Sequence, residues 1–164
     1  KFVLGEKPSK IKLDKIDTQI LQELTKNARQ TSLELAKKIK QTERIIRYRI
    51  KKLEDLNIIL GYRPFINTTL LDLKYYKLFI QLKNAKKQDI KKIQAYIIQN
   101  PNVVYNTAAL GGYDFEIEVH FHNSNQLMEF ITSLRESFPT NIKNITHLEY
   151  IKEHKITYFP TLSL

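Results

Sequence analysis

The stretch TSLELAKKIKQTERIIRYRIKKL, residues 31–53, decides the fold of the first half of this chain. Thr31 stands three residues before Glu34, the spacing of a reciprocal helix cap, and Leu35 and Ile39 follow at helical intervals. Lys40 and Gln41 then form a turn. Thr42 caps a second helix, Glu43 sits at its positive end, and Ile46, Ile50 and Leu53 fall on one stripe. At about 100° per residue, Arg44, Arg47, Tyr48 and Lys51 point away from that stripe, with Arg49 and Lys52 on its flanks. Two closely spaced helices with a cationic outer face on the second predict a helix-turn-helix that reads double-stranded DNA. Arg47 and Tyr48 are expected to approach bases together with Arg44. Lys51, Lys52 and Arg49, with the hydroxyls of Thr31 and Thr42, are expected to hold phosphates.

The charge distribution supports this reading. The 164 residues carry a formal net charge of +10, of which residues 1–67 hold 16 Lys and Arg against 8 acids, and residues 68–164 hold 11 against 9. A basic half joined to a nearly neutral half suggests an anion-binding module beside a module with another task. A membrane surface would attract the same charge. The basic helix, however, carries Arg and Tyr where a membrane-lying helix needs a broad Leu or Phe face. No apolar run approaches the roughly 18 residues of a membrane span, and no signal-peptide core is evident. There is no cysteine, so thiolate metal sites, disulfides and a cysteine nucleophile are excluded. These features predict a cytoplasmic, nucleoid-associated protein.

Outward from the decisive stretch, a helix opening at Asp14 and stopping near Asn27, with Ile16, Ile20, Leu21 and Leu24 on one side, supplies the third helix of a small core. After Leu53, the β-prone run Ile58, Ile59 and Leu60, a turn at Gly61 and a return through residues 62–66 predict a small wing. Residues 1–11 read as a tail with a strand end and linker, 12–62 as the DNA-binding domain, 63–74 as a hinge, 75–157 as a second domain and 158–164 as a C-terminal tail. The chain begins at Lys1 rather than Met, so processing or trimming is expected. Residues 2–8, FVLGEKP, echo the later Tyr-Phe-Pro sequence, which suggests an upstream copy of the same module.

In the second domain the pattern predicts strands at 75–82, 103–110, 115–121 and within 145–156, and helices at 88–99 and 125–138. The order strand, helix, strand, strand, helix, strand is that of a ferredoxin-like antiparallel sheet with both helices on one face. The fold class is therefore α+β. Its uncovered sheet face must carry Tyr76, Phe79 or their neighbours, and pairing two such faces would make a homodimer.

Three segments in this order, LDKIDTQILQEL at 13–24, RYRIKKLEDLNIILGY at 47–62 and GGYDFEIEV at 111–119, make the chain similar to the Lrp/AsnC family of feast/famine transcriptional regulators. The resemblance covers about residues 12–157. It implies a small-molecule-binding and assembly role for the second domain, dimers and octamers, and amino acids as effectors. Where the family has Gly-Leu-Ser between the two helices, this chain has Lys40, Gln41 and Thr42, so Lys40 must tolerate a positive-φ turn.

The turn Gly111-Gly112-Tyr113-Asp114 is the candidate effector or assembly site, because glycines admit a carboxylate to backbone amides and Asp114 suits an ammonium group. The bland reading is a strand-entry turn in which Asp114 serves only local amides. His120 and His122 share a strand face, but without a third ligand at recognisable spacing they read as solvated or interface histidines. The lysines at 86, 87, 91 and 92 read as the wet side of a helix. No phosphate loop, nucleophile elbow, zinc-protease motif or dinucleotide fingerprint occurs, so no enzyme and no cofactor are expected. A sequence-specific regulator is the reading. The alternatives are an architectural DNA-binding protein with weak sequence preference and a non-regulatory, enzyme-associated subunit of the same architecture.

Overall fold

The computed structural model describes residues 11–155 and 158–159. They form two compact units, one of residues 11–65 with 155 and 158–159 and one of residues 66–154.

The first unit contains α1 (Lys15–Lys26), α2 (Ser32–Ile39) and α3 (Glu43–Asp55). Each start is fixed by a side chain that satisfies amides the helix itself cannot. Asp14 accepts from the Asp17 N–H at 2.9 Å, and Asp17 answers by accepting from the Asp14 N–H. Thr31 and Glu34 make the same reciprocal pair on α2, and Thr42 accepts from the Ile45 N–H at 3.3 Å on α3. Ile20, Leu21, Leu24, Leu35, Ala36, Ile39, Ile46 and Leu53 make the core, with Leu13, Ile16 and Ile50 against it. That core sets where the outer face of α3 points.

Between α2 and α3 the chain reverses at Lys40, whose φ of 57° and ψ of 48° are left-handed. The amides of Lys40 and Gln41 both return to the Ala36 carbonyl, so the turn is made without glycine.

The expected wing is absent among the described residues. Residues 58–66 pair with no strand, because the amides of Ile58 and Ile59 are already used on the Leu53 carbonyl at the end of α3. Both side chains pack on the three-helix core instead. The region expected to be a C-terminal tail also contributes here: Phe159 packs against this core, and the Arg63 guanidinium lies 5.7 Å from the Tyr158 ring centre. The strand end expected within residues 1–10 and the proposed echo of residues 2–8 lie outside the described residues.

The second unit begins with a 3₁₀ turn at Thr68–Leu71 and runs β1 (Lys74–Leu82), α4 (Lys87–Gln99), β2 (Val103–Ala108), β3 (Phe115–Phe121), α5 (Ser124–Ser137) and β4 (Ile142–Glu149). The strands lie in the order β2-β3-β1-β4, all antiparallel, which is the ferredoxin-like topology. β4 starts earlier than its pattern suggests, because Ile142 pairs with Leu82 across an irregularity in the register. Tyr76, Leu78 and Ile80 of β1 and Phe115, Ile117, Val119 and Phe121 of β3 face Ile93, Ile97, Leu127, Phe130, Ile131 and Leu134 of the helices. Tyr76 is therefore in the core, 2% exposed, and Phe79 is the residue that takes the open face.

The open face has its own order. Tyr75 stacks between His120 and Tyr150, with ring centres 4.6 and 4.5 Å away, and its hydroxyl bonds Glu118. Lys77 bridges Glu116 at 2.8 Å and Glu118 at 3.7 Å, and Phe79 meets Tyr113 at 5.0 Å.

Candidate nucleic-acid interface

The outer face of α3 is a consequence of which residues its core needs. With Ile46 and Leu53 buried and Ile50 partly so, Arg44, Arg47, Tyr48, Lys51 and Lys52 are left exposed, Tyr48 to 67%. Ion pairs along the helix organise two of these cations. Arg47 Nη2 donates to Glu43 at 2.5 Å, and Lys51 Nζ lies 2.9 Å from Asp55. Both pairs span one turn at the surface, where they hold long side chains loosely and are readily exchanged for phosphate. Thr31 and Thr42, expected at phosphates, use their hydroxyl oxygens as helix caps, and both remain exposed at the ends of α2 and α3.

Arg49 departs from expectation. It leaves the exposed face and bonds Asp14 and Asp17 of α1, reaching Asp17 Oδ1 at 3.0 Å. Asp17 is 3% exposed, so its charge needs a fixed cation, and the guanidinium supplies it. The carboxyl of Asp14 is held below its ordinary value by the Asp17 amide and, against some burial, by Arg49. Arg49 thus ties α3 to α1. Its position on the helix wheel alone could not reveal this, since both partners lie more than thirty residues earlier.

In the second unit, the chain from Ala109 to Asp114 forms the turn into β3, with Gly111 at a φ of 121°. Asp114 is committed to the sheet: its Oδ2 accepts from the Leu82 N–H at 2.7 Å, and its own N–H donates to the Ile80 carbonyl. The expected partnership of Asp114 with an ammonium group therefore competes with a bond already made. Around Gly111 and Gly112 the space is open, with no atom within 4 Å of where a Cβ would stand. Tyr113 leaves the turn to contact Phe79 on the open sheet face.

His120 and His122 act together in a way the strand pattern did not foretell. His120 Nε2 lies 3.2 Å from Thr68 Oγ1, and His122 Nδ1 lies 2.9 Å from the Asp72 carbonyl, so both grip the turn before β1. Among the described residues no group of three or more His, Asp or Glu is arranged to hold a metal ion. No helix of the described residues is long and apolar enough to cross a membrane.

Comparison with known proteins places these features. Residues 13–54 match the AsnC-type helix-turn-helix domain. An HTH-type transcriptional regulator of Pyrococcus furiosus is 31% identical over 150 residues, which cover 88% of this chain and 97% of that protein. The leucine-responsive regulatory protein of Rhizobium meliloti is 29% identical over 124 residues, covering 74% of this chain and 79% of its own length. A transcriptional regulator of Neisseria meningitidis, solved in complex with L-Met, superposes with a TM-score of 0.79 at 25% identity, covering 91% of this chain and 97% of that one. With a helix-turn-helix of the matching type, the second unit's topology and near full-length similarity to such regulators, the chain belongs to the Lrp/AsnC family of DNA-binding transcriptional regulators.

Proposed function

We propose that the protein recognises specific DNA sequences through α3, with Arg44, Arg47 and Tyr48 at base edges and Lys51, Lys52, Thr31 and Thr42 at phosphates. The observation that carries this reading is the exposed cationic face of α3 on a doubly capped helix pair. Arg offers two parallel donors to guanine, which is why its position on the exposed face matters more than net charge. Arg49 has a structural role in this scheme. The protein works as a homodimer and its higher assemblies in the cytoplasm, at the nucleoid, and has no enzymatic role. The aromatic open face of Tyr75, Phe79, Tyr113 and Tyr150 supports pairing, since a second copy would remove that surface from water. An amino acid is the proposed effector, bound at Gly111 and Gly112, where open space leaves the glycine amides approachable. Its carboxylate would meet those amides.

Selection from a random duplex library at physiological salt, with and without a panel of amino acids, tests the proposal. Enrichment of a palindrome is expected, and an Arg44→Ala/Arg47→Ala double variant should lose that enrichment. Binding without any enriched sequence would favour the architectural alternative.

A further inference from the structure

The near-neutral charge of the second unit conceals a strong separation of charge. Lys83, Lys86, Lys87, Lys91 and Lys92 fall within ten residues that hold a single acid, Asp89. Asp89 is engaged at the start of α4, where its Oδ2 accepts from the Lys86 N–H at 2.9 Å. The topology adds a sixth cation. The Lys83 N–H donates to the Asn141 carbonyl at 2.8 Å and Leu82 pairs with Ile142, which brings Lys143 to the same end of the sheet. All six lysines are exposed, and none makes an ion pair among the described residues. Two further acids share this end of the unit, Asp114, whose Oδ2 accepts from the Leu82 N–H, and Glu136 in the last turn of α5 before Ile142, so the six lysines outnumber the acids there, while Glu116 and Glu118 lie on the open sheet face.

Helix stability does not account for this arrangement. With Ile93 and Ile97 buried, Lys87, Lys91 and Lys92 project from the opposite side of α4, in its first two turns. That end of a helix carries partial positive charge and favours acids, so lysines there repel both the helix end and one another. An extended polyanion with closely spaced charges relieves that repulsion, releasing its own counterions as it binds. We infer that the lysines of α4 and its flanks form a second DNA-contacting surface, which holds the phosphate backbone of duplex beyond the sequence that α3 reads. Lysine suits this task because a mobile point charge tracks the backbone without requiring a base-specific geometry. The inference rests on the DNA-binding reading above and extends it to a surface without base recognition.

The test uses the full chain and its selected DNA site, on a duplex trimmed to the site and on one carrying about 20 further base pairs on each side, roughly two helical turns. A Lys86→Gln/Lys87→Gln/Lys91→Gln/Lys92→Gln variant should match the parent on the trimmed duplex. On the long duplex it should bind about tenfold more weakly at low salt, with a log–log salt dependence shallower by about 2 to 4, near 0.9 for each phosphate no longer neutralised. The corresponding Lys→Arg variant keeps the charge and should behave as the parent, which separates the effect of charge from that of folding. Equal affinity and salt dependence of the Gln variant and the parent on the long duplex would overturn the inference while leaving recognition by α3 intact. Loss of sedimentation with phosphatidylserine vesicles, with DNA binding unchanged, would also overturn it and assign the surface to membranes. If the parent binds neither duplex, the DNA-binding reading itself fails and the inference fails with it.

Discussion

Arg49 on α3 donates to Asp17 on α1 across a 3.0 Å bond, joining the exposed reading helix to a carboxylate that is 3% exposed. The pair fixes how α3 is presented. Removing the guanidinium leaves Asp17 buried without its cation, and Arg49→Gln should destabilise the first unit by about 2–4 kcal/mol, measured by denaturant unfolding. The same variant separates a strut from a DNA-binding group. At temperatures where it is folded, its salt dependence of DNA binding should equal the parent's, whereas an Arg49 that neutralised a phosphate would take about 0.9 off the slope when replaced.

Lys40 occupies a left-handed backbone conformation that glycine adopts without a Cβ penalty. Lys40→Gly should therefore stabilise the first unit by about 0.5–1 kcal/mol, the relief of strain exceeding the extra freedom of the unfolded chain. Thermal unfolding followed by circular dichroism should show a rise of several degrees. A lower midpoint would mean that the turn bears no strain.

His120 lies half-buried beneath Tyr75, and burial lowers its pKa below the ordinary 6.5 despite the opposing charge of Glu118. The folded protein thus takes up this proton at a lower pH than the unfolded chain does. Between those two values the unfolded chain binds more protons, so stability falls as pH drops through 6.5 and continues to fall until the folded-state pKa is passed. Urea midpoints between pH 7.5 and 5.5 should decline, and His120→Gln should flatten that part of the profile. An equal decline in the variant would assign the effect elsewhere.

Asp114 joins the turn after β2 to the end of β1 through the Leu82 N–H. Asp114→Ala should destabilise the second unit by about 0.5–1.5 kcal/mol, because it removes the side-chain acceptor of a solvent-exposed backbone donor. Calorimetric titration with amino acids distinguishes this role from ligand binding. Retained binding by the folded variant would leave the glycine amides as the recognition elements, and abolished binding with unchanged unfolding would give Asp114 to the ligand.

Much of the architecture was legible because its signals are local. The caps at Asp14, Thr31 and Thr42 and the stripe Ile46, Ile50, Leu53 need only neighbours within one helix, and they define α1, α2 and α3 in the sequence. The alternation of Phe115, Ile117, Val119 and Phe121 likewise identifies β3 with its covered face. What escaped depends on partners far along the chain. Ile58 and Ile59 have strand-like composition, yet the Leu53 carbonyl uses their amides, so the wing gives way to a helix ending. Arg49 looks like a flank of the DNA face until Asp14 and Asp17 stand beside it. The two histidines read as a strand pair, but Thr68 and Asp72 decide what they do. For Tyr76 and Phe79 the alternation showed that they face opposite ways without saying which faces the helices.

Phe159 packs against a core whose other members lie between Leu13 and Ile59. During vectorial synthesis the three helices are made about a hundred residues before Phe159, at roughly 5–20 residues per second. The nascent first unit must therefore spend some seconds lacking one of its packing partners, while the second unit emerges behind it. Maturation of the reading head is consequently coupled to synthesis of the second unit, and a ribosome stalled before Phe159 would display an incompletely packed version of it.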